Sequence, residues 1–252
     1  MTQKNALITG ASSGIGLETA RILAQNNFNL IITGRRAERL EKLKKELAQT
    51  GVEVLSLVFD VRIKNEVDHA LASLPAPWRH IDVLINNAGL AAGMEPIFAA
   101  NADDWEQMID TNVKGLLYVT RTVSAWMVEQ QYGHIINISS IAGKEAYPNG
   151  SVYCGTKHAV SAISKAMRIE LSQHNVKVGS ICPGAVDTEF STVRFKGDSQ
   201  RAANVYKGFT PLYAKDIAET IWFMVSRPAS VNIDDILIMP TAQASARDIV
   251  RK

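Results

Sequence analysis

Seven short runs of almost uninterrupted isoleucine, leucine and valine recur along the chain, at residues 6–9, 30–33, 54–59, 83–85, 135–138, 176–181 and 236–238. A strand with one wet face alternates apolar and polar residues, so strands apolar at nearly every position require a sheet buried on both sides. Between most of these runs lie longer segments with helical periodicity, at 15–25, 37–48, 67–74, 103–129, 152–172 and 215–225. This alternation reads as successive β-α-β units, whose crossovers lay the strands parallel and cover both faces with helices. The expected fold is therefore α/β, three-layered and doubly wound, with a seven-stranded parallel sheet.

The 252 residues, 46% hydrophobic and 21% charged, can fill such a core without staples. No linker, repeat or low-complexity tract divides them, which predicts a single domain over 1–252. The least regular stretch is 187–210, which carries Arg194, Lys196, Gly197 and Asp198. It reads either as a cover over a substrate pocket or as a surface excursion. Lysine and arginine (27) barely exceed aspartate and glutamate (25), too little for the broad basic face that nucleic acid or an anionic membrane would need. The two cysteines, Cys154 and Cys182, form no metal or redox motif, and the five histidines have no ligand spacing, so no metal is expected. Met1 to Lys4 pass straight into the first apolar run, and no run is long enough to span a bilayer; the expectation is a cytoplasmic protein.

The first apolar run ends in Thr9-Gly10-Ala11-Ser12-Ser13-Gly14-Ile15-Gly16, followed at once by a helix. Glycines allow a tight turn and close backbone approach, and the helix N-terminus offers free N–H groups to a pyrophosphate. After the second run come Gly34-Arg35-Arg36, where an NAD site usually places an acid on the ribose. Two guanidiniums and no carboxylate favour a 2′-phosphate, hence NADP(H). The competing reading is the start of a solvated helix, since Glu38/Lys42 and Glu41/Lys45 are i,i+4 pairs on the same segment. Asp60-Val61 and Asn86-Asn87-Ala88-Gly89 close the third and fourth runs at strand ends where such sheets bind ligands, although ordinary turns use the same residues.

Ser139-Ser140 ends the fifth run, and Tyr153 and Lys157 lie four apart at the start of the next helix, on one face. Bringing a phenol from pKa about 10 to ~7 takes roughly 4 kcal/mol. A cation about 4 Å away at an effective dielectric near 20 supplies about that much. A lone Tyr-x-x-x-Lys is usually a surface pair; the glycine loop upstream and the serines before it favour an acid–base pair. Cys154 beside it reads as a small buried filler rather than a redox group.

In order and spacing, Gly10 to Gly16, Asn86 to Gly89, Asn112, Ser140, Tyr153, Lys157 and Pro183-Gly184 resemble the short-chain dehydrogenase/reductase family over essentially the whole chain. The resemblance implies a Rossmann-type fold and an NADP(H)-dependent oxidoreductase. Tyr153 is then the general acid/base, Ser140 orients the substrate oxygen, and Lys157 binds the nicotinamide ribose and lowers the tyrosine pKa. Asn112 holds a water linking the lysine to a proton relay. Pro183 to Thr188 meets the nicotinamide, with Val186 and Thr188 near its carboxamide. The tail runs Thr188 to Ser191, Val193 to Asp198 and Met239 to Gln243 are similar to the branch of NADP-dependent 3-hydroxy acid dehydrogenases, also called serine dehydrogenases. That branch implies substrates such as L-serine and L-allo-threonine, with Arg194 a candidate for the substrate carboxylate or else a surface arginine. Alternatives are a broad-scope carbonyl reductase and a catalytically silent NADP-binding regulator. The resemblance also implies a homotetramer, to which Trp105, Met108, Trp126 and Met127 contribute unless they are ordinary core.

Overall fold

The computed structural model describes residues 3–252. Its elements begin with β1 (Lys4–Ile8), α1 (Gly14–Gln25), β2 (Phe28–Gly34), α2 (Ala37–Ala48), β3 (Val54–Val58), α3 (Lys64–Ala72) and β4 (Val83–Asn86). Next come α4 (Ala102–Ile109), α5 (Leu116–Glu129), β5 (Gly133–Ile138), α6 (Ser151–Leu171) and β6 (Val176–Pro183). The chain continues through β7 (Val186–Asp187), α7 (Phe190–Arg194), α8 (Ser199–Val205), β8 (Leu212–Tyr213), α9 (Ala214–Val225) and β9 (Asp235–Ile238).

Seven strands form one sheet in the order β3-β2-β1-β4-β5-β6-β9, with every pairing parallel. Successive side chains of a strand point to opposite faces, and here both faces are filled. Ala6, Ile8, Leu30, Ile32, Ile85 and Ile136 pack with residues of α1, α2 and α9, including Leu23, Leu43 and Ile221. Leu7, Ile31, Leu84, Ile135 and Val178 pack against α3, α5 and α6 through Val67, Leu71, Val123 and Met167. Fully burying such a side chain contributes about 1.5–3 kcal/mol relative to exposing it. This double burial is why the strands read as unbroken apolar runs.

The structure adds detail to the sequence expectations in three places. The predicted helix over 103–129 is interrupted by a π-helical turn, Asp110–Gly115. Gly115 at its end lets Val61 come close, because a Cβ there would lie 2.8 Å from Val61 Cγ2. The stretch 187–210 is less irregular than expected: it contains α7 and α8, and β7 pairs with β8 in a two-stranded parallel sheet. Of the four aromatic and methionine residues read either as an interface or as ordinary core, Met108 and Met127 are buried within the chain, and Trp105 and Trp126 pack against its core. Among the described residues no helix is long and apolar enough to cross a membrane, and Cys154 and Cys182 are buried free thiols.

His134 on β5 is buried, and its Nε2 has no hydrogen-bond partner. Burial, reinforced by Lys177, lowers its pKa from 6.5 to about 3. The unfolded chain therefore takes up a proton that the folded chain refuses, so the neutral imidazole's full contribution holds above pH 6.5 and is lost as pH falls toward 3. By pH 5 this one group costs about 2 kcal/mol. Urea unfolding of His134→Leu should show the loss between pH 7.5 and pH 5 shrinking by about that amount relative to wild type; an identical pH dependence would refute the assignment.

Candidate active site

In the sheet order, β1 and β4 are neighbours, and the chain leaves their carboxyl ends toward opposite faces, opening the crevice where such sheets bind ligands. The Thr9 hydroxyl stitches the two ends together, its Oγ1 accepting from the backbone N–H groups of Asn87 and Ala88, each at 3.0 Å. Asn87 Nδ2 donates to the carbonyls of Thr9 (2.9 Å) and Gly10 (3.1 Å). The loop from Gly10 to Gly16 is thereby clamped against Asn87. Gly10 takes φ +67° and Gly14 φ +55°, conformations that L side chains rarely adopt. No side chain caps α1 and no acid occupies its first turn, so its N-terminal N–H groups and dipole remain for an anion.

These strand ends border a cavity of about 760 Å³. Its wall includes Gly10, Ser12, Ser13, Gly14 and Ile15 of the glycine loop, then Arg35, Arg36, Asp60 and Val61, then Asn87, Ala88 and Gly89. Ser140, Tyr153, Lys157, Pro183, Gly184, Val186 and Thr188 line the rest. Three candidate site residues lie outside this lining: Gly16, Asn112 and Arg194. Gly16 serves packing, since a Cβ there would lie 2.5 Å from both the Gly10 carbonyl oxygen and Asn87 Nδ2. A Cβ on Gly89 would meet Asn112 Oδ1 at 3.2 Å and Lys157 Nζ at 3.4 Å, so glycine keeps the cavity floor clear. The glycine cradle, the uncapped helix and the arginines fit a phosphorylated dinucleotide.

The arginines are placed differently from one another. Arg36 donates to Ser12 Oγ (3.1 and 2.9 Å) and Ser13 Oγ (2.6 Å) of the loop. Arg35 is more exposed, 3.7 Å from Asp60. Asp60 is bonded chiefly to Arg62; burial alone would raise its carboxyl, but the Arg62 side-chain and backbone hydrogen bonds hold it below the usual range. Arg36 is thus the more deeply engaged guanidinium.

Ser140 ends the stretch after β5, and Tyr153 and Lys157 lie in the first two turns of α6, all three buried. Lys157 Nζ donates to the Ile138 carbonyl at 2.9 Å and sits 5.9 Å from the centre of the Tyr153 ring. The ammonium therefore lies over the face of the ring. Burial lowers its pKa to about 8. Burial also raises the Tyr153 phenol above its ordinary value, with Tyr147 adding to the effect and Ser140 and Arg194 opposing it. Ser139 turns its hydroxyl to Ser161 and the Lys157 carbonyl, leaving Ser140 as the serine associated with the phenol.

Asn112, in the π-turn, uses its whole amide internally: Oδ1 accepts from Leu90 N, and Nδ2 donates to Leu90 O and Thr156 Oγ1, at 2.8, 2.8 and 3.0 Å. Arg194 lies in a side pocket of about 20 Å³ that shares Tyr153 with the lining described above. Its guanidinium is 5.6 Å from the Tyr153 ring centre and donates to Gly93 O (3.3 Å) and the Tyr147 hydroxyl (3.2 Å). Sequence reasoning missed Tyr147, whose contact with Arg194 no local motif announces, and Gln243, which was noticed only as part of a tail. Gln243 is buried, and its Oε1 accepts from Ala185 N at 2.8 Å, fixing the loop after β6. Among the described residues no three His, Cys, Asp or Glu side chains gather as metal ligands.

The short chain dehydrogenase family profile matches residues 4–198. The chain belongs to that family, whose members are oxidoreductases. It is 49% identical over 241 residues to the NADP-dependent 3-hydroxy acid dehydrogenase YdfG of Salmonella typhi, covering 95% of this chain and 96% of that one. The NADP-dependent 3-hydroxy acid dehydrogenase of Schizosaccharomyces pombe is 44% identical over 251 residues, covering 99% and 97%. Among solved structures, the closed form of serine dehydrogenase complexed with NADP+ superposes with a TM-score of 0.92 at 46% identity, covering 98% of this chain and 99% of that one.

Gly16→Ala should destabilise the fold by about 1–3 kcal/mol, because the added methyl meets a backbone carbonyl that cannot move away cheaply. Chemical denaturation checks this, and stability equal to wild type would contradict the packing role.

Proposed function

We propose that this chain is an NADP(H)-dependent dehydrogenase of small 3-hydroxy acids, interconverting the 3-hydroxyl and 3-oxo groups of compounds such as L-serine and L-allo-threonine. The observation that carries the reading is the meeting of Ser140, Tyr153 and Lys157 with a glycine loop and two arginines around one cavity. Arg35 and Arg36 would hold the 2′-phosphate, the loop from Gly10 to Ile15 the pyrophosphate, and Asp60 and Val61 the adenine. Asn87, Ala88, Gly89 and Lys157 would line the nicotinamide ribose side, with Pro183, Gly184, Val186 and Thr188 against the nicotinamide. The bound nicotinamide supplies the hydride acceptor or donor.

Ser140 holds the substrate oxygen beside Tyr153, whose phenol oxygen takes the hydroxyl proton during oxidation and returns it to the carbonyl oxygen during reduction. Burial favours the protonated phenol, so the chain's own bias is toward proton donation. Lys157 opposes that bias: a unit charge 5.9 Å from the ring is worth about 3 kcal/mol at an effective dielectric near 20. Asn112 acts as a positioning residue, and any water it shares with Lys157 belongs to the proton relay. Arg194 supplies the substrate-carboxylate contact. Two observations favour this: its place beside the Tyr153 ring, and the lack of any carboxylate in ion-pair contact with it among the described residues. The segment 187–210 covers the substrate, and the functional unit is a homotetramer.

The test is NADP+ reduction by purified protein. L-Serine and L-allo-threonine should turn over, and Tyr153→Phe should lower kcat by about 10²–10⁴-fold. Arg194→Ala should raise KM for the acids by roughly tenfold or more, as expected for a lost charge-assisted contact, while leaving KM for a neutral secondary alcohol unchanged. Turnover of neutral alcohols with silence toward the acids would move the assignment to a general carbonyl reductase. Silence throughout would favour a regulator.

A further inference from the structure

One acidic side chain reaches the arginines of the phosphate site from the opposite wall of the cavity. Glu189 immediately precedes α7, and Arg36 and Arg39 stand at the start of α2. Glu189 Oε2 accepts from Arg36 Nη1 at 2.8 Å and Oε1 from Arg39 Nη1 at 2.7 Å. The remaining Arg36 donors go to Ser12 and Ser13, so this guanidinium is shared between the loop hydroxyls and a carboxylate. The two contacts span 153 and 150 residues of sequence, so they arise from the folded arrangement of the cavity walls.

The geometry points to Glu189 as a specificity-determining residue of the dinucleotide site, an internal carboxylate that competes with the 2′-phosphate for Arg36 and Arg39. Arg39 thereby becomes a third arginine of that site. The inference rests on the NADP(H) reading given above. A phosphate and a carboxylate cannot share one guanidinium without like-charge repulsion, so a 2′-phosphorylated nucleotide must displace Glu189. A nucleotide with a free 2′-hydroxyl leaves the carboxylate where it is. The side chains of Arg36, Arg39 and Glu189 are 41%, 49% and 46% exposed, and ion pairs this open exchange easily. The competition should therefore alter affinity by a small factor, selectively for the phosphorylated nucleotide. Thr188 packs over Gly14, and Phe190 lies 5.7 Å from the Tyr153 ring, so the displaced residue sits between the phosphate loop and the reacting end.

Calorimetric titration of the full chain at low ionic strength with 2′,5′-ADP and with 5′-AMP tests this directly. Wild type should prefer 2′,5′-ADP. Glu189→Gln, which keeps the shape and removes the charge, should tighten 2′,5′-ADP by about two- to tenfold and change 5′-AMP by less than about twofold, as expected for two exposed pairs. In the Glu189→Gln background, Arg39→Gln should weaken 2′,5′-ADP again. Unchanged or weaker binding of 2′,5′-ADP to Glu189→Gln, or equal tightening of both nucleotides, would overturn the role of Glu189 while leaving the NADP(H) reading intact. No effect of the added Arg39→Gln would remove Arg39 from the site. A wild-type protein that does not distinguish the two nucleotides would overturn both the inference and the reading beneath it.

Discussion

The clamp formed by Thr9 between β1 and β4 is the contact on which the rest of the site depends. Two adjacent strands whose chains depart to opposite faces splay apart at their carboxyl ends, and the backbone groups exposed there need partners. One hydroxyl accepting two N–H groups, together with the Asn87 amide returning to the carbonyls of Thr9 and Gly10, meets that need. The same contacts leave no room for a side chain at Gly16, so α1 can lie directly against the clamp with its N-terminus aimed into the cavity. Losing one partner of a buried hydrogen bond costs about 1–3 kcal/mol. The loop conformation is thus held by contacts within the fold.

A second chain of contacts carries this geometry to the reacting end. Leu90 continues from the end of β4, its N–H and carbonyl both held by Asn112, and Asn112 in turn donates to Thr156. Thr156 then donates to the carbonyl of Tyr153 at 2.8 Å. The π-turn is what points Asn112 toward Leu90; in an uninterrupted α-helix its register against β4 would shift, which accords with π-turns recurring at functional sites. The buried network spans the strand end, the interrupted helix and α6, so the height of the tyrosine above the cavity floor is tied to the same strand end that anchors the glycine loop.

What was legible in the sequence followed local rules, and what was hidden depended on contacts between distant residues. Strands buried on both faces advertise themselves as apolar runs, and the glycine loop and Tyr-x-x-x-Lys are read within a few residues. The interruption of 103–129 leaves no periodic signature, and the packing of Val61 on Gly115 at its end joins residues far apart in sequence. The helices inside 187–210 are five and seven residues long, too short to show a stripe. Arg35 and Arg36 are indistinguishable by type and neighbourhood, and their difference appears only when the loop serines fold back onto one of them. Arg39, Glu189 and the Tyr147–Arg194 contact belong to the same class, pairs with no sequence proximity to betray them.

The electrostatics of Tyr153 show why those distant contacts matter for chemistry. Taking the phenol from pKa about 10 to ~7 requires roughly 4 kcal/mol, and here burial pushes the other way. Lys157 over the ring face favours phenolate, by an amount on the order of 3 kcal/mol at an effective dielectric near 20. Arg194, at 5.6 Å from the same ring, is of comparable reach and also favours phenolate. A residue proposed to receive the substrate carboxylate therefore has a second effect: pairing with that carboxylate would weaken its pull on the phenol. In that arrangement the substrate's own charge raises the proton affinity of the base that acts on it. Forming the phenolate then depends the more on Lys157 at the ring face.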